Sequence, residues 1–176
     1  MKRWLLVAAA GLATLTLCGC YVSDSLLLNP DAAAHPIDDG VYERPGQHED
    51  RAQVSLRPDG WYDVSNFNPN GSIGDTQRIL MNEADVGGRP GYVFAEAEED
   101  GGYQYGVAFV EQGRVYLATP DCNDPEDRED AIDHGGEAQD DQGMTHTCLF
   151  RSRAALVAAL SAFAGHAVFG EPYQRH

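Results

Sequence analysis

Basic residues are the scarcest feature of this chain. Its 176 residues hold 12 Lys plus Arg against 28 Asp plus Glu, for a formal net charge of −16, and Lys2 is the only lysine. Because binding to a phosphate backbone requires a basic surface, we expect no nucleic-acid partner. The acidity favours basic proteins, cationic peptides or divalent cations as partners, or serves solubility alone.

The chain also lacks the short motifs that mark common enzyme classes. It has no G-x-S-x-G nucleophile elbow, and no S-x-x-K motif can form without a lysine beyond Lys2. No P-loop or dinucleotide-binding glycine motif occurs. Carboxylate pairs are too easily found among 28 acidic residues to indicate acid–base chemistry. We therefore expect a non-enzymatic function without a cofactor, and keep an enzyme as the weaker alternative.

Uncharged apolar sequence is concentrated at the N-terminus, in residues 4–17. At about 1.5 Å of rise per residue, this run is too short for a hydrocarbon core about 30 Å thick. Lys2 and Arg3 precede it and small residues follow it. This order predicts a secretory signal peptide, with a buried helix as the alternative.

The residues that end this run, Leu17-Cys18-Gly19-Cys20, resemble the lipobox of bacterial lipoproteins. The other register would modify Cys18 and would place bulky Leu17 just before the scissile bond, where the lipobox has a small residue. The resemblance implies that residues 1–19 are a removed signal peptide and that Cys20 becomes the lipidated N-terminus.

The lipobox resemblance also implies a location. Three acyl chains on Cys20 would give stable anchoring in the lipid bilayer, since two or more chains are enough. Tyr21 stands where an Asp retains many lipoproteins in the inner membrane, so we expect a periplasm-facing protein of the cell envelope, at the outer rather than the inner membrane. Loss of Lys2 and Arg3 changes the net charge from −16 to −18. Anionic headgroups should then repel the domain, which leaves the anchor as the contact with the bilayer.

Two cysteines remain in the mature chain, Cys122 and Cys148. Two cysteines in one small domain of an oxidising compartment usually pair, so we predict a disulfide. A metal or redox site is the alternative, but no C-x-x-C motif supports it.

The domain is predicted to follow a tether. Residues 20–39 are predicted to be the lipidated N-terminus and tether, because Pro30, Pro36 and scattered Asp residues interrupt regular structure. Residues 40–170 are predicted to form a single β-rich domain, with 171–176 as a tail. Strands are predicted at residues 40–43, 53–57, 61–67, 77–81, 92–98, 103–111, 114–119 and 144–150.

The aromatic residues of these strands give two hypotheses. On strand 103–111, Tyr103, Tyr105 and Phe109 share one face, which we expect to pack inward, while Gly106 and Ala108 lie on the other. The fold prediction is mainly β (α+β), an antiparallel meander sheet or partial barrel. If the sheet closes as in lipocalins, aromatic residues could line a ligand cavity, although an ordinary core is the alternative. These residues are Trp61, Tyr62, Tyr92, Phe94, Tyr103, Tyr105 and Phe109.

Residues 121–143, here called the acidic segment, are predicted to be a long exposed loop, because they contain ten acidic residues and no aromatic one. Crowded carboxylates could bind Ca²⁺, but the spacing of an EF-hand is absent, and a solvated charge run is the alternative. The weak metal candidates are Asp124, Glu126, Asp127 and Asp130, with Asp121, Glu129 and Asp133 nearby. His134 and His146 are weaker candidates for Zn²⁺.

One helix is predicted at residues 153–164, packed on the sheet. Ser152 suits an N-cap, and Gly165 suits the stop. An apolar stripe at helical spacing would face the sheet. Its residues are Leu156, Val157, Leu160, Phe163 and Ala164.

These features predict a membrane-anchored periplasmic lipoprotein that acts as a non-enzymatic interaction or binding module of the envelope. One form of this hypothesis has a basic envelope protein as the partner of the acidic surface. The alternative is a small-ligand or Ca²⁺ binding domain with a barrel-like sheet.

Overall fold

The computed structural model describes residues 21–99, 101–141 and 145–176. The predicted signal peptide, Cys18 and Cys20 lie outside the described residues. The fold is mainly β, as predicted, but the sheet is a closed antiparallel barrel of eight strands rather than an open meander or a partial barrel. Two helices and three further strands pack around it.

The barrel strands follow one another around the wall, each antiparallel to its neighbours, and β6 pairs with β7 to complete the circle. In this order they are β2 (Gly40–Arg44), β3 (Gln47–Leu56), β4 (Tyr62–Phe67), β5 (Ile73–Val86), β6 (Arg89–Ala97), β7 (Tyr103–Glu111), β8 (Arg114–Ala118) and β11 (Tyr173–Arg175).

Tight turns join most of these strands. Gly60 has a φ of 82° in the turn between β3 and β4. Gln112 and Gly113 have φ values of 53° and 76°, and two successive positive φ values are typical of the type I′ hairpin turn. These turns help to set the register of the β3–β4 and β7–β8 hairpins.

The predicted tail is part of the barrel. β11 lies between β2 and β8, with Gln174 opposite Glu43 on one side and Arg114 on the other. His176 N donates a hydrogen bond to Val41 O at 2.8 Å. The prediction of a separate tail at residues 171–176 was wrong, because the edges of β2 and β8 need a partner strand that comes from outside the meander.

The predicted tether is also folded onto the domain. β1 (Tyr21–Ser23) pairs with β7 and with β10 (Thr145–Leu149), and Tyr21 is fully buried. Asn82 is buried on β5, and its side chain exchanges hydrogen bonds of 2.9 and 3.0 Å with the backbone of Asn29. The predicted tether is therefore held against the barrel: its first part runs along the outer wall, and Ile37 and Asp38 bind inner residues of the barrel. A 3₁₀ turn, Pro30–Ala32, lies within them.

The C-terminal helix α2 (Arg153–His166) packs on the outer wall of the barrel. The Ser152 hydroxyl accepts a hydrogen bond from Ala155 N at 3.2 Å, which confirms the N-cap. The helix continues to His166, so the stop predicted at Gly165 was wrong. Leu156, Leu160 and Phe163 are buried against the barrel, as the apolar stripe predicted.

The bulky face of β7 packs into a core, as expected, but this core lies outside the barrel rather than in the barrel interior that the cavity hypothesis required. Tyr105 and Phe109 belong to the core between the barrel and α2, whereas Ala108 belongs to the inner cluster. Both faces of this strand are buried, so side-chain bulk alone does not tell the inner from the outer face.

The acidic segment contains regular structure, so the prediction of a long exposed loop was wrong. It forms α1 (Pro125–Asp133) and β9 (Glu137–Asp141), which pairs with β10 (Thr145–Leu149). Asp124 caps α1, and Pro125 occupies its first turn. Ala131 is fully buried in the outer core and Asp127 is also buried, so both residues dock this helix.

No helix in the described ranges is long and apolar enough to cross a membrane.

Candidate functional site

The inner wall of the barrel encloses a cavity of about 250 Å³, here called the cup. Apolar side chains from every barrel strand except β7 line most of it, and polar side chains collect at the end where β2, β4, β6 and β8 finish. The apolar lining includes Tyr42, Val54, Tyr62, Val64, Ile79, Met81, Phe94, Val115 and Leu117.

The floor of the cup is closed by the segment that precedes β2. Ile37 N donates to the Tyr62 hydroxyl at 3.2 Å, and that hydroxyl donates to Ile37 O at 3.0 Å. The Tyr42 hydroxyl donates to Asp38 O at 3.0 Å. Burial raises the pKa of both tyrosines, so they stay neutral. These bonds fix residues 37–38 across one end of the barrel.

Because Gly106 has no side chain, it leaves space inside the barrel for the ring of Phe94. A Cβ at this inward-facing position of β7 would lie 2.5 Å from the ring of Phe94. The absence of a side chain therefore lets the Phe94 ring lie over β7, where Gly106 is its partner in the β6–β7 pair. The small residues of β7 thus help to determine the shape of the cup.

At the polar end of the cup, here called the mouth, the positive charge of Arg44 is balanced by Asp50. Arg44 Nη1 lies 2.9 Å from Asp50 Oδ2, and the Arg44 guanidinium lies 4.4 Å from the ring centroid of Tyr173. The Tyr173 hydroxyl donates to Asp50 Oδ1 at 2.8 Å. Burial and this bond to Asp50 raise the pKa of Tyr173. Arg44, Asp50 and Tyr173 therefore form one network, but Arg44 Nε has no hydrogen-bond partner among the described residues.

Glu96 is the unusual residue of the site. It lies on β6 and lines the cup, and only 6 % of it is exposed. Burial, with a smaller contribution from the negative charge of Glu98, raises its pKa from 4.5 to about 7. None of the described residues forms a hydrogen bond or an ion pair with its side chain.

Asn66, Gln77 and Thr119 add neutral polar groups to the lining. The cup thus combines an apolar floor with a few polar groups at one end, which is the usual composition of a small-molecule site. Its volume is just below the range of about 300–1,000 Å³ for such sites, so a fitting ligand is small.

The aromatic residues predicted to line a cavity divide between the two sides of the wall. Tyr62 and Phe94 line the cup, and Tyr92 packs in the same inner cluster. The others lie in the outer core against helix α2 and the N-terminal segment. They are Trp61, Tyr103, Tyr105 and Phe109.

The candidate metal ligands hold the acidic segment in place. Asp127 is buried and accepts a hydrogen bond from Asp121 N at 2.6 Å. Asp130 lies 2.8 Å from His166 Nε2, which ties α1 to α2, and Glu126 lies 3.9 Å from the same imidazole. Across residues 21–99, 101–141 and 145–176, no group of three or more His, Cys, Asp or Glu side chains is placed to hold a metal ion.

The two candidate zinc ligands lie on different elements. His134 follows α1, and its Nδ1 lies 2.8 Å from Asp130 O. His146 lies on β10, and its backbone N donates to Asn123 Oδ1 at 3.0 Å. These hydrogen bonds account for where each histidine lies without a metal ion.

The predicted disulfide is present. Cys122 and Cys148 are bonded and fully buried, with a Cα–Cα distance of 6.1 Å. The bond joins the start of the acidic segment to β10 and thereby fixes both of its ends.

Comparison of the chain with protein-family models, with curated proteins and with solved structures gave no match. The geometry of the barrel therefore carries the functional argument.

Sequence reasoning missed Glu96, Ile37 and Tyr173. The alternation of β6 contained a signal for Glu96, because Tyr92, Phe94 and Glu96 share one face. No comparable signal marks Ile37 or Tyr173, which reach the cup from segments outside the meander.

Proposed function

We propose that this protein is a membrane-anchored, non-enzymatic binding module of the bacterial envelope whose cup binds a small, mainly apolar ligand. The observation that carries the proposal is the cup itself, a cavity of about 250 Å³ inside the barrel that is open at its mouth and bounded by residues 37–38 at its floor.

The cup differs from an ordinary packing defect. Protein interiors are close-packed, and voids larger than a water molecule are few. A space of about 250 Å³ corresponds to about eight water molecules at a liquid volume of about 30 Å³ each. Mostly apolar walls would hold such water poorly, so an apolar ligand gains by displacing it.

The anchoring part of the proposal is supported by the lipobox resemblance of residues 17–20. β1 begins at Tyr21, directly after Cys20. Lipidated Cys20 would therefore hold the domain beside the bilayer without a spacer, where the cup could exchange a ligand with the membrane surface or with the periplasm.

Calorimetric titration with 2-phenylethanol tests the ligand-binding part. A ligand of about ten non-hydrogen atoms that gains about 0.4 kcal/mol from each should bind with a Kd of about 1 mM or tighter. Ala52→Leu should abolish this binding, because Ala52 lines the cup and its new isobutyl group would occupy it.

Ser55→Leu is the matched control, since Ser55 lies on the same strand with its side chain on the outer face. This variant should bind as the parent protein does. Absence of binding to the parent protein, or equal binding to the Ala52→Leu variant, would contradict the proposal.

A further inference from the structure

Glu96 is a buried acidic residue of the cup whose carboxyl group has no hydrogen-bond or ion-pair partner among the described residues. The residue is 94 % buried, since 6 % of it is exposed, and it faces the cavity from β6. A buried charge without a partner is costly, and native proteins retain such groups mainly where they serve a function. A group that enters the cup from outside could supply the missing partner.

The opposite wall supplies no internal cation for Glu96. β2 and β6 face one another across the barrel, because three strands separate them in either direction. Arg44 on β2 is already engaged with Asp50 and Tyr173. The cation that would complete the site is thus absent from the described wall.

The net charge points to the same kind of ligand. At −18 without residues 1–19, the protein attracts cations and repels anions. A hydrogen bond between an ammonium group and a carboxylate is also stronger than one between neutral groups.

Building on the proposed ligand-binding function, we propose that the ligand of the cup is a small cationic amphiphile, an apolar body that carries a protonated amine, and that Glu96 is the carboxylate that binds the amine. The apolar body would lie on the floor around Phe94 and Tyr62, and the ammonium group would lie at the mouth. The protein already bears the desolvation cost of the carboxylate, so binding adds only the cost for the amine.

Three probes that differ in one group test this assignment: phenethylamine, 2-phenylethanol and 3-phenylpropanoate, titrated by calorimetry at about pH 8, where an amine is still protonated. Phenethylamine should bind at least about tenfold more tightly than 2-phenylethanol, the ratio expected for one charge-assisted hydrogen bond. The carboxylate probe is included because Nε of Arg44 is buried and has no hydrogen-bond partner among the described residues.

Glu96→Gln should remove the preference for the amine and leave the affinity for 2-phenylethanol within about threefold, which also shows that the variant is folded. Glu98→Gln is the matched control. It removes the same charge near the end of the same strand, but from a residue that does not line the cup, so the preference should remain.

The affinity for phenethylamine should also rise with pH, with a midpoint near 7, as Glu96 ionises. The other charged or titratable groups around the mouth are Arg44, Asp50, Tyr173 and Glu98. Titration with 2-phenylethanol should be flat over the same interval, because this probe carries no charge.

The outcomes separate the two proposals. Equal or weaker binding of phenethylamine, or tighter binding of 3-phenylpropanoate, overturns the role of Glu96 and leaves the cup as a binding site. Failure of all three probes overturns both proposals. If the Glu96→Gln variant still binds phenethylamine more tightly than 2-phenylethanol, a group other than Glu96 binds the amine, and the inference is overturned.

Discussion

At the scale of single residues, the properties of the cup depend on where a side chain points. Glu96 and Glu98 stand two positions apart in an acidic hairpin, yet only Glu96 lines the cavity and is almost fully buried. The sequence places the two residues on one face of a strand, but it does not show how deeply each one lies in the barrel. Burial makes one of these residues a candidate binding group.

Glu96→Gln should stabilise the ligand-free protein at high pH. The folded-state pKa of about 7 lies above the usual 4.5, so the folded protein binds the proton more strongly and loses stability as the pH rises from about 4.5 to 7. At about pH 8 the variant should be more stable by up to about 3 kcal/mol, since each pKa unit corresponds to about 1.4 kcal/mol. Urea denaturation of both proteins at about pH 8 and pH 4.5 measures the difference.

The two proteins should differ little in stability at the lower pH, where Glu96 is protonated in the folded state and about half protonated in the unfolded state. A variant that is destabilised equally at both pH values would show that the Glu96 carboxyl group is compensated in the fold.

The tyrosines show what the sequence could predict at this scale. The alternation on β7 correctly placed Tyr103 and Tyr105 on one face and Gly106 on the other. It did not identify the inner face, because closure of the barrel and docking of α2 bury both. Gly106 lies inside because the Phe94 ring needs the space next to it.

At the scale of elements, the barrel is completed by segments that local sequence does not mark as structural. Residues 173–175 are too short and polar to predict a strand, yet β11 joins β2 to β8. In the acidic segment, Asp124 and Pro125 are typical of the start of a helix and mark the start of α1. The strongly acidic composition nevertheless led to the prediction of a loop. Long strands and the amphipathic helix were predictable because their apolar patterns extend over many residues.

A chain that ends at residue 170 should lose both stability and the cup. Removal of β11 leaves β2 and β8 as open edges and takes Tyr173 from the cavity wall. We expect a lower melting temperature in calorimetry and no binding of 2-phenylethanol.

Tyr173→Phe in the full chain is the control. It keeps the strand and loses only the hydroxyl bonded to Asp50, so it should retain the barrel and bind 2-phenylethanol. A shortened chain that melts and binds like the full chain would contradict the role assigned to β11.

At the scale of the whole molecule, the proposed lipid anchor at Cys20 directly precedes β1, which pairs with the barrel strand β7. The sequence predicted the mainly β fold and the disulfide, because strand alternation and cysteine number are local properties. Closure was not predictable, because it depends on β11 and on the β6–β7 pairing acting together. The cup exists only because the sheet closes.

Cys20→Ser should abolish incorporation of labelled palmitate and release the protein from the membrane fraction, because Cys20 is the modified residue in the lipobox register. Cys18→Ser should leave both unchanged, since Cys18 would leave with the signal peptide. Labelling of the Cys20→Ser variant would show that the register is wrong.

The most direct test of the central claim is to map bound phenethylamine by NMR on the protein without residues 1–19. If the cup is the binding site, chemical-shift changes should concentrate on residues of its wall, among them Tyr62, Phe94 and Glu96, and should be absent from α2. Changes that concentrate on the outer face of the barrel, or no saturable changes at all, would contradict the account.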